Sequence, residues 1–313
     1  MDHCGADAQV QIKKLQYGKD YRQREYIFFT VVFNRYRDVS RDTRHQVRDR
    51  FEKAECECVL ALPDSYRAEG AKTPLVMTFH GAGHIVNAQR DEIGGVKFAG
   101  ALLDAGYAAL DVCGAEPHGV TLGCPEHILA AYKAYRYAVQ NYNLSQQVLL
   151  FGESMGGHTA MNFACMFPSL ALTLGLYYPR LNLDGITVEG KYCIGTWDKT
   201  KKNAAGFSKQ DRIAQVYRFP DDRWCEENTI GFNSYKNRSF LLPDGKRAVI
   251  PPCPVKIWHG LADTVVDPLI SQEYVESVHR AGCYAQLHLL DGVTHGPTAV
   301  MDEELVLWFD RFI

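Results

Sequence analysis

The chain has 313 residues, of which 46% are hydrophobic and 23% charged, with a net charge of −3. That is an ordinary composition for a soluble globular chain, and the length can bury a large core without metals or disulfides. The small negative balance points away from nucleic acid as a partner, and no apolar run approaches the length needed to span a bilayer.

The first residues, Met1 to Asp7, have neither the basic start nor the apolar stretch of a secretory signal, so a cytoplasmic protein is expected. Tyr26 to Phe33 is aromatic and β-branched and predicts a first strand. Arg35 to Arg50 carries six arginines interleaved with Asp38, Asp42 and Asp49, the pattern of a solvated face. Ala54 to Leu62 predicts a second strand, stopped by Pro63. Pro74 to Phe79 is a short apolar run that ends in His80-Gly81-Ala82-Gly83. A helix is expected over Val96 to Ala105, a strand over Tyr107 to Val112 and a helix over Pro125 to Tyr142. Gln146 to Phe151 reads as a buried strand, and the residues after Gly157 as a helix closed by Pro168. Strands follow at Ala171 to Tyr178, Val255 to His259 and Tyr284 to Leu290, with helices at Leu269 to Ala281 and Glu303 to Phe312.

From residue 75 onward strands alternate with helices. This implies an α/β fold with a mostly parallel central sheet and helices on both faces. The first strands lack long intervening helices and are expected to form an antiparallel N-terminal edge. Residues 184–252 break the rhythm. They are rich in Lys, Asn, Asp and aromatics, including Tyr192, Trp197, Phe207, Tyr217, Trp224 and Phe240. A structureless loop of that length is improbable inside a compact domain, so an inserted cap or lid is expected there, with short helices such as Lys209 to Val216. The whole chain, 1–313, reads as one domain carrying that insertion. The ten cysteines are scattered with no C-x-x-C pair, and reduced thiols are the expectation.

Gly152-Glu153-Ser154-Met155-Gly156 fits G-x-S-x-G between a strand and a helix with almost no linker. A serine hydroxyl is a poor nucleophile near neutral pH, so it needs a base in reach and an acid to orient that base. Acids follow the strand Val255 to His259, at Asp263 and Asp267, and His295 follows the last strand. Loops just beyond the carboxyl ends of the strands are where open α/β sheets place ligands and catalysts. Asp267 could instead cap the following helix, and Asp291 is suited to hold a loop. Among the other histidines, His80 and His259 end strands before glycine and are suited to bonding loop backbone. His158 is suited to packing or capping, and Glu153 to packing against the top of the sheet. No zinc-ligand spacing and no phosphate-binding glycine loop occurs, so no metal and no cofactor is expected.

These stretches, together with Thr78 to Gly83, His259 to Val266 and Gly292 to His295, resemble the α/β-hydrolase superfamily, most closely its esterase and prolyl-oligopeptidase-like branch. The likeness covers about residues 70 to 313. It implies Ser154 as nucleophile, His295 as general base and acid, and Asp263 as the orienting acid. It also implies an oxyanion hole formed by the backbone N–H groups of Met155 and Ala82. The candidate pocket residues are His84, His118, Tyr177 and Trp197; Tyr177 and Tyr178 end a strand on the catalytic side, where facing the substrate and packing in the core are both open to them. The expected activity is cleavage of a carboxylic ester through an acyl-enzyme. Its substrate would be a small-molecule or carbohydrate-linked ester, and the aromatics of the insertion either stack on sugar or phenolic rings or pack the insertion's own small core. A prolyl-oligopeptidase-like peptidase and a non-catalytic binding scaffold are the alternatives. About 70 residues before the Phe79-His80-Gly81 strand are too few for the propeller that such peptidases usually carry.

Overall fold

The computed structural model describes residues 9–16, 23–36, 51–113, 123–181, 186–188, 191–193 and 249–313. The predicted cap helix, His118 and Trp197 lie outside them, as do most of the cap and most of the arginine-rich run.

Among the described residues nine strands form one sheet. In chain order they are β1 Gln9–Gln16, β2 Gln23–Tyr36, β3 Phe51–Ala61, β4 Thr73–Phe79, β7 Ala108–Val112, β8 Leu144–Glu153, β9 Ala171–Tyr177, β12 Val255–Gly260 and β13 Ala285–Leu290. Two-residue strands β5 Val86–Asn87 and β6 Glu92–Ile93 form a small hairpin, and β10 Ile186–Val188 pairs with β11 Lys191–Cys193 in another. The sheet order is β1-β2-β3-β7-β4-β8-β9-β12-β13. The first three strands and β7 pair antiparallel. From β7 to β13 every pairing is parallel. The expected parallel sheet with an antiparallel N-terminal edge is therefore observed.

Among the described residues the helices are α1 Gly100–Asp104, α2 Pro125–Asn141, α3 Met155–Met166, α4 Leu269–Arg280 and α5 Ala299–Phe309. Residues of α2, α3 and α4 share one core cluster with one face of the sheet, through Ile128, Ala134, Met161, Phe163, Ile270 and Tyr274. Residues of α1 and α5 share the other, through Leu102, Leu103, Met301, Leu305 and Trp308. The double cover explains why the central strands read as continuous apolar runs: Val148 to Glu153 is buried at every position. In β2 the alternation serves both layers, with Ile27, Phe29, Val31 and Phe33 on one and Tyr26 and Phe28 on the other.

Three elements differ from expectation. β1 was not predicted, because its sequence QVQIKKLQ is polar and its Val10 and Ile12 remain exposed at the sheet's rim. The helix expected over Val96 to Ala105 is a 3₁₀ turn, Gly94–Phe98, followed by the five residues of α1. Gly94 and Gly95 pack onto the Asp111 carboxylate, which accepts the Gly95 N–H in place of a helical carbonyl. α5 starts at Ala299, a turn earlier than expected, because Thr298 caps it by accepting the Met301 N–H at 3.3 Å.

The connections fix where a site can form. From β4 the chain moves outward to β7, then returns across β4 to β8. The strand order thus reverses between β4 and β8, and the crevice at their carboxyl ends is a topological switch point. Phe79 of β4 pairs with Gly152 of β8, so the loop after β4 and the turn after β8 leave the sheet side by side.

Candidate active site

Ser154 occupies the one-residue turn between β8 and α3 with φ 50° and ψ −115°. A non-glycine residue with positive φ costs on the order of 1–3 kcal/mol and persists only when its surroundings hold it. Three backbone hydrogen bonds do so. Ser154 N donates to the Tyr177 carbonyl at 2.9 Å, and the Ser154 carbonyl accepts from Gly157 N at 3.1 Å and Arg180 N at 2.8 Å. The turn also needs a bare backbone behind it. A Cβ on Gly156 would overlap the Phe79 carbonyl, so α3 could not lie against β4 with any larger residue there.

His295 arrives on the loop after β13. Its Nε2 lies 3.0 Å from Ser154 Oγ, and its Nδ1 lies 2.7 Å from Asp263 Oδ2. The three residues that the sequence singles out are thus brought together in one chain of hydrogen bonds. Two loops make that possible. Leu261 N donates to the Leu290 carbonyl at 2.8 Å and Ala262 N to the Val293 carbonyl at 2.9 Å, which ties the acid's loop to the histidine's. Gly260 is the contact point, since a Cβ there would run into the Val293 carbonyl.

Asp263 is only 6% exposed. Its Oδ1 accepts the amides of Val265 at 2.7 Å and Val266 at 3.0 Å. Burial pushes this carboxyl up. Hydrogen bonds from His259, His295 and the Val266 amide outweigh it and hold the group well below the usual carboxylate range. Asp263 is therefore an ionised acceptor, which assigns the tautomer of His295: Nδ1–H donates to Asp263, and Nε2 is left with a lone pair to accept the Ser154 hydroxyl.

His259 supports the acid from behind. Its Nε2 lies 2.9 Å from the Val266 carbonyl and 3.2 Å from Asp263 Oδ2, while its Nδ1 lies 2.8 Å from Ser271 Oγ. The carbonyl and carboxylate can only accept, so Nε2 bears the hydrogen. The expectation that His259 bonds loop backbone holds, but its contact with Asp263 was not foreseen. Asp267 holds the start of α4, accepting the Leu269 amide at 3.1 Å, and Asp291 is an exposed turn residue. His80 Nδ1 is bonded to the Gly81 carbonyl at 3.1 Å and His158 Nδ1 to the Arg180 carbonyl at 3.1 Å, both in buried settings.

The remaining expectations divide. Met155 is the first residue of α3, so its N–H has no helical carbonyl a turn behind it and stands beside Ser154. Ala82 lies on the exposed part of the loop after β4, where His84 N turns back to the Gly81 carbonyl at 3.3 Å. His84 sits on the same loop, half-buried against the edge of Phe98, with Nε2 3.7 Å from Glu153 Oε1. Burial and the Lys97 charge lower its pKa. Tyr177 requires a correction. It is wholly buried, ringed by Phe151 and Trp258, and its hydroxyl donates to Asp302 on α5 at 3.0 Å. Tyr178 instead turns toward the site, with φ 36° and its ring centroid 4.4 Å from the His295 ring. Glu153 is buried at the carboxyl end of β8, as its expected packing against the top of the sheet requires. This side chain is buried as a hydrogen-bond acceptor, taking the Gly81 amide at 2.8 Å and the Tyr178 hydroxyl at 3.0 Å. Among the described residues no group of three or more His, Cys, Asp or Glu side chains is arranged to hold a metal ion, and no helix is long and apolar enough to cross a membrane.

No protein-family model matches the chain, and no curated protein matches it. Solved structures do match. The esterase Est2 of Thermogutta terrifontis, with propionate bound, is 18% identical, and the alignment covers 82% of this chain and 88% of that one with a TM-score of 0.51. A truncated carbohydrate esterase from gut microbiota is 17% identical over 90% of this chain and 95% of that one, with a TM-score of 0.56. A puromycin-hydrolyzing peptidase of Mycobacterium tuberculosis is 14% identical over 98% of this chain but 45% of that one, with a TM-score of 0.55. At these identities the likeness is one of fold. The chain has the α/β-hydrolase fold, in the form shared by these esterases and this peptidase.

Proposed function

We propose that this protein is a serine hydrolase that cleaves carboxylic esters through an acyl-enzyme. The observation that carries the reading is the unbroken hydrogen-bond chain from Ser154 through His295 to Asp263, built on a positive-φ elbow. Ser154 Oγ attacks the ester carbonyl as its proton passes to His295 Nε2. The carbonyl π pair becomes an oxyanion, which the Met155 and Ala82 amides receive. The oxyanion collapses, the bond to the alcohol oxygen breaks, and His295 returns the proton to the leaving alkoxide. Water then repeats the sequence on the acyl-serine: it gives a proton to His295, attacks the carbonyl and expels Ser154, which is reprotonated. Asp263 stays ionised throughout and stabilises the imidazolium.

The substrate class is a small-molecule or carbohydrate-linked ester, and no cofactor takes part. Likeness in fold to the Thermogutta esterase and to the gut carbohydrate esterase supports the ester reading. The comparison of p-nitrophenyl acetate with Gly-Pro-p-nitroanilide tests it. The acetate should be the better substrate by kcat/KM, and preferred turnover of the anilide would sink the ester reading. Acetyl, butyryl and feruloyl esters, with and without sugar alcohols, then define the acyl and alcohol groups.

A further inference from the structure

Glu153 sits at the end of β8, immediately before Ser154, and is 4% exposed. Its two carboxylate oxygens reach in opposite directions. Oε1 accepts the Gly81 N–H at 2.8 Å, on the loop leaving β4, and Oε2 accepts the Tyr178 O–H at 3.0 Å, just beyond β9. β4 and β9 are the two strands that flank β8, so one side chain joins the carboxyl ends of three adjacent strands at the switch point. On one side it holds the residue before Ala82, the expected oxyanion donor. On the other it holds Tyr178, whose ring lies tilted against His295 with centroids 4.4 Å apart.

The fit is close. A Cβ on Gly81 would meet Glu153 Oε1 at 2.8 Å, so the loop rests directly on the carboxylate. The Gly81 amide, being committed to Glu153, is not a donor to substrate, and the hole's second donor must come from farther along the loop. Tyr178 is held from its backbone as well, with N donating to the Trp258 carbonyl at 2.7 Å. Burying a carboxyl costs free energy, and this one lies in a setting that also contains the buried Asp111, His80 and half-buried His84. Burial pushes the Glu153 pKa up, while hydrogen bonds from Gly81 and Tyr178 pull it down. An apolar residue would fill the same space without that cost, but it could accept neither donor.

We propose that Glu153 is a positioning residue, a clamp that fixes the oxyanion loop through Gly81 and the face of His295 through Tyr178. It rests on the hydrolase reading of Ser154, His295 and Asp263, and it acts on that chemistry only through these two neighbours. The clamp works in the transition state more than in the ground state. The oxyanion donors must stand where charge develops, and a displacement of a fraction of an ångström weakens that interaction while leaving the substrate's other contacts intact.

Glu153→Met keeps the length of the side chain and removes both acceptors. Glu153→Gln can keep both contacts, because its carbonyl accepts the Gly81 amide and its amide donates to the Tyr178 oxygen. Tyr178→Phe removes one arm with a single atom. The measurements are kcat and KM on the best p-nitrophenyl ester, the rate of fluorophosphonate labelling, and the affinity for a trifluoromethyl ketone, whose adduct with a serine carries an oxyanion. Glu153→Met should lower kcat by about 10- to 100-fold with KM within about threefold, and weaken the ketone in parallel with kcat/KM. Glu153→Gln should recover most of the loss. Tyr178→Phe should give a smaller loss that does not add to that of Glu153→Met. Wild-type kinetics and ketone affinity in Tyr178→Phe, or in a folded Glu153→Met, overturn the clamp, as does a Glu153→Gln variant as impaired as Glu153→Met. A folded wild-type protein that does not react with the fluorophosphonate at all overturns the hydrolase reading and the clamp with it.

Discussion

His295 Nδ1 lies 2.7 Å from Asp263 Oδ2, and the other oxygen of Asp263 is already occupied by the Val265 and Val266 amides. That occupancy decides what an amide would do in this position. In Asp263→Asn the carbonyl oxygen must face the two backbone donors, which turns the NH₂ toward His295. Nδ1 then has to accept, the proton moves to Nε2, and His295 loses the lone pair that takes the Ser154 proton. The expected fall in kcat is about 10³- to 10⁴-fold, with KM little changed. Steady-state kinetics on a p-nitrophenyl ester check this; a variant that keeps a tenth of wild-type kcat would show that Asp263 does not orient the base.

The elbow makes a stability prediction. Gly156→Ala drives a methyl group into the Phe79 carbonyl, so α3 must shift from β4. A destabilisation of about 3 kcal/mol is expected, a fall of roughly 4–5 °C in Tm for a chain of this size. Gly100→Ala is the control, because a Cβ there meets nothing within 4 Å. It should stay within about 1 kcal/mol of wild type. Equal effects of the two substitutions in a thermal melt would show that the Gly156 contact is not limiting.

Acid lability should begin well above the carboxylate range. Burial holds the imidazoles of His80 and His127 below their ordinary value of 6.5, His127 at about 3. A histidine whose folded pKa is depressed contributes stability that is complete above the unfolded pKa and is lost as pH falls toward the folded one. For His127 the loss amounts to something on the order of 2 kcal/mol by pH 5. Asp263, also depressed, adds a second loss only below its ordinary 3.8. Burial raises the Asp111 and Glu153 carboxyls, which add stability as pH falls, so the histidine's share is read against His127→Gln: from pH 8 to pH 4 the wild-type midpoint should fall relative to the variant's from about pH 6.5 downward. A wild-type midpoint that keeps a constant offset from that of His127→Gln between pH 7 and pH 5 contradicts this account.

Much of the fold was legible because the central strands are buried on both faces and read as apolar runs bounded by glycine and proline. Ser154, Asp263 and His295 were legible for a related reason: each follows such a run, and residues just past parallel strands converge on one edge. What stayed hidden depended on geometry with no periodic signature. β1 carries polar residues at an exposed rim. Tyr177 and Tyr178 are neighbours, and only the positive φ at Tyr178 decides which of them turns to His295. Glu153 fills the variable position of its motif, so nothing in the pattern reveals that Gly81 and Tyr178 converge on it from the two flanking strands. His259 looked like a loop anchor, and its second contact with Asp263 arises from how the loop folds back rather than from any spacing.

The most direct test of the central claim is covalent labelling by a fluorophosphonate at pH 8, followed by mass spectrometry of the modified peptide. The account predicts a single label per chain, carried by Ser154, and none on a Ser154→Ala variant that melts like wild type. A folded wild-type protein that takes no label, or a label that persists in Ser154→Ala, would contradict it.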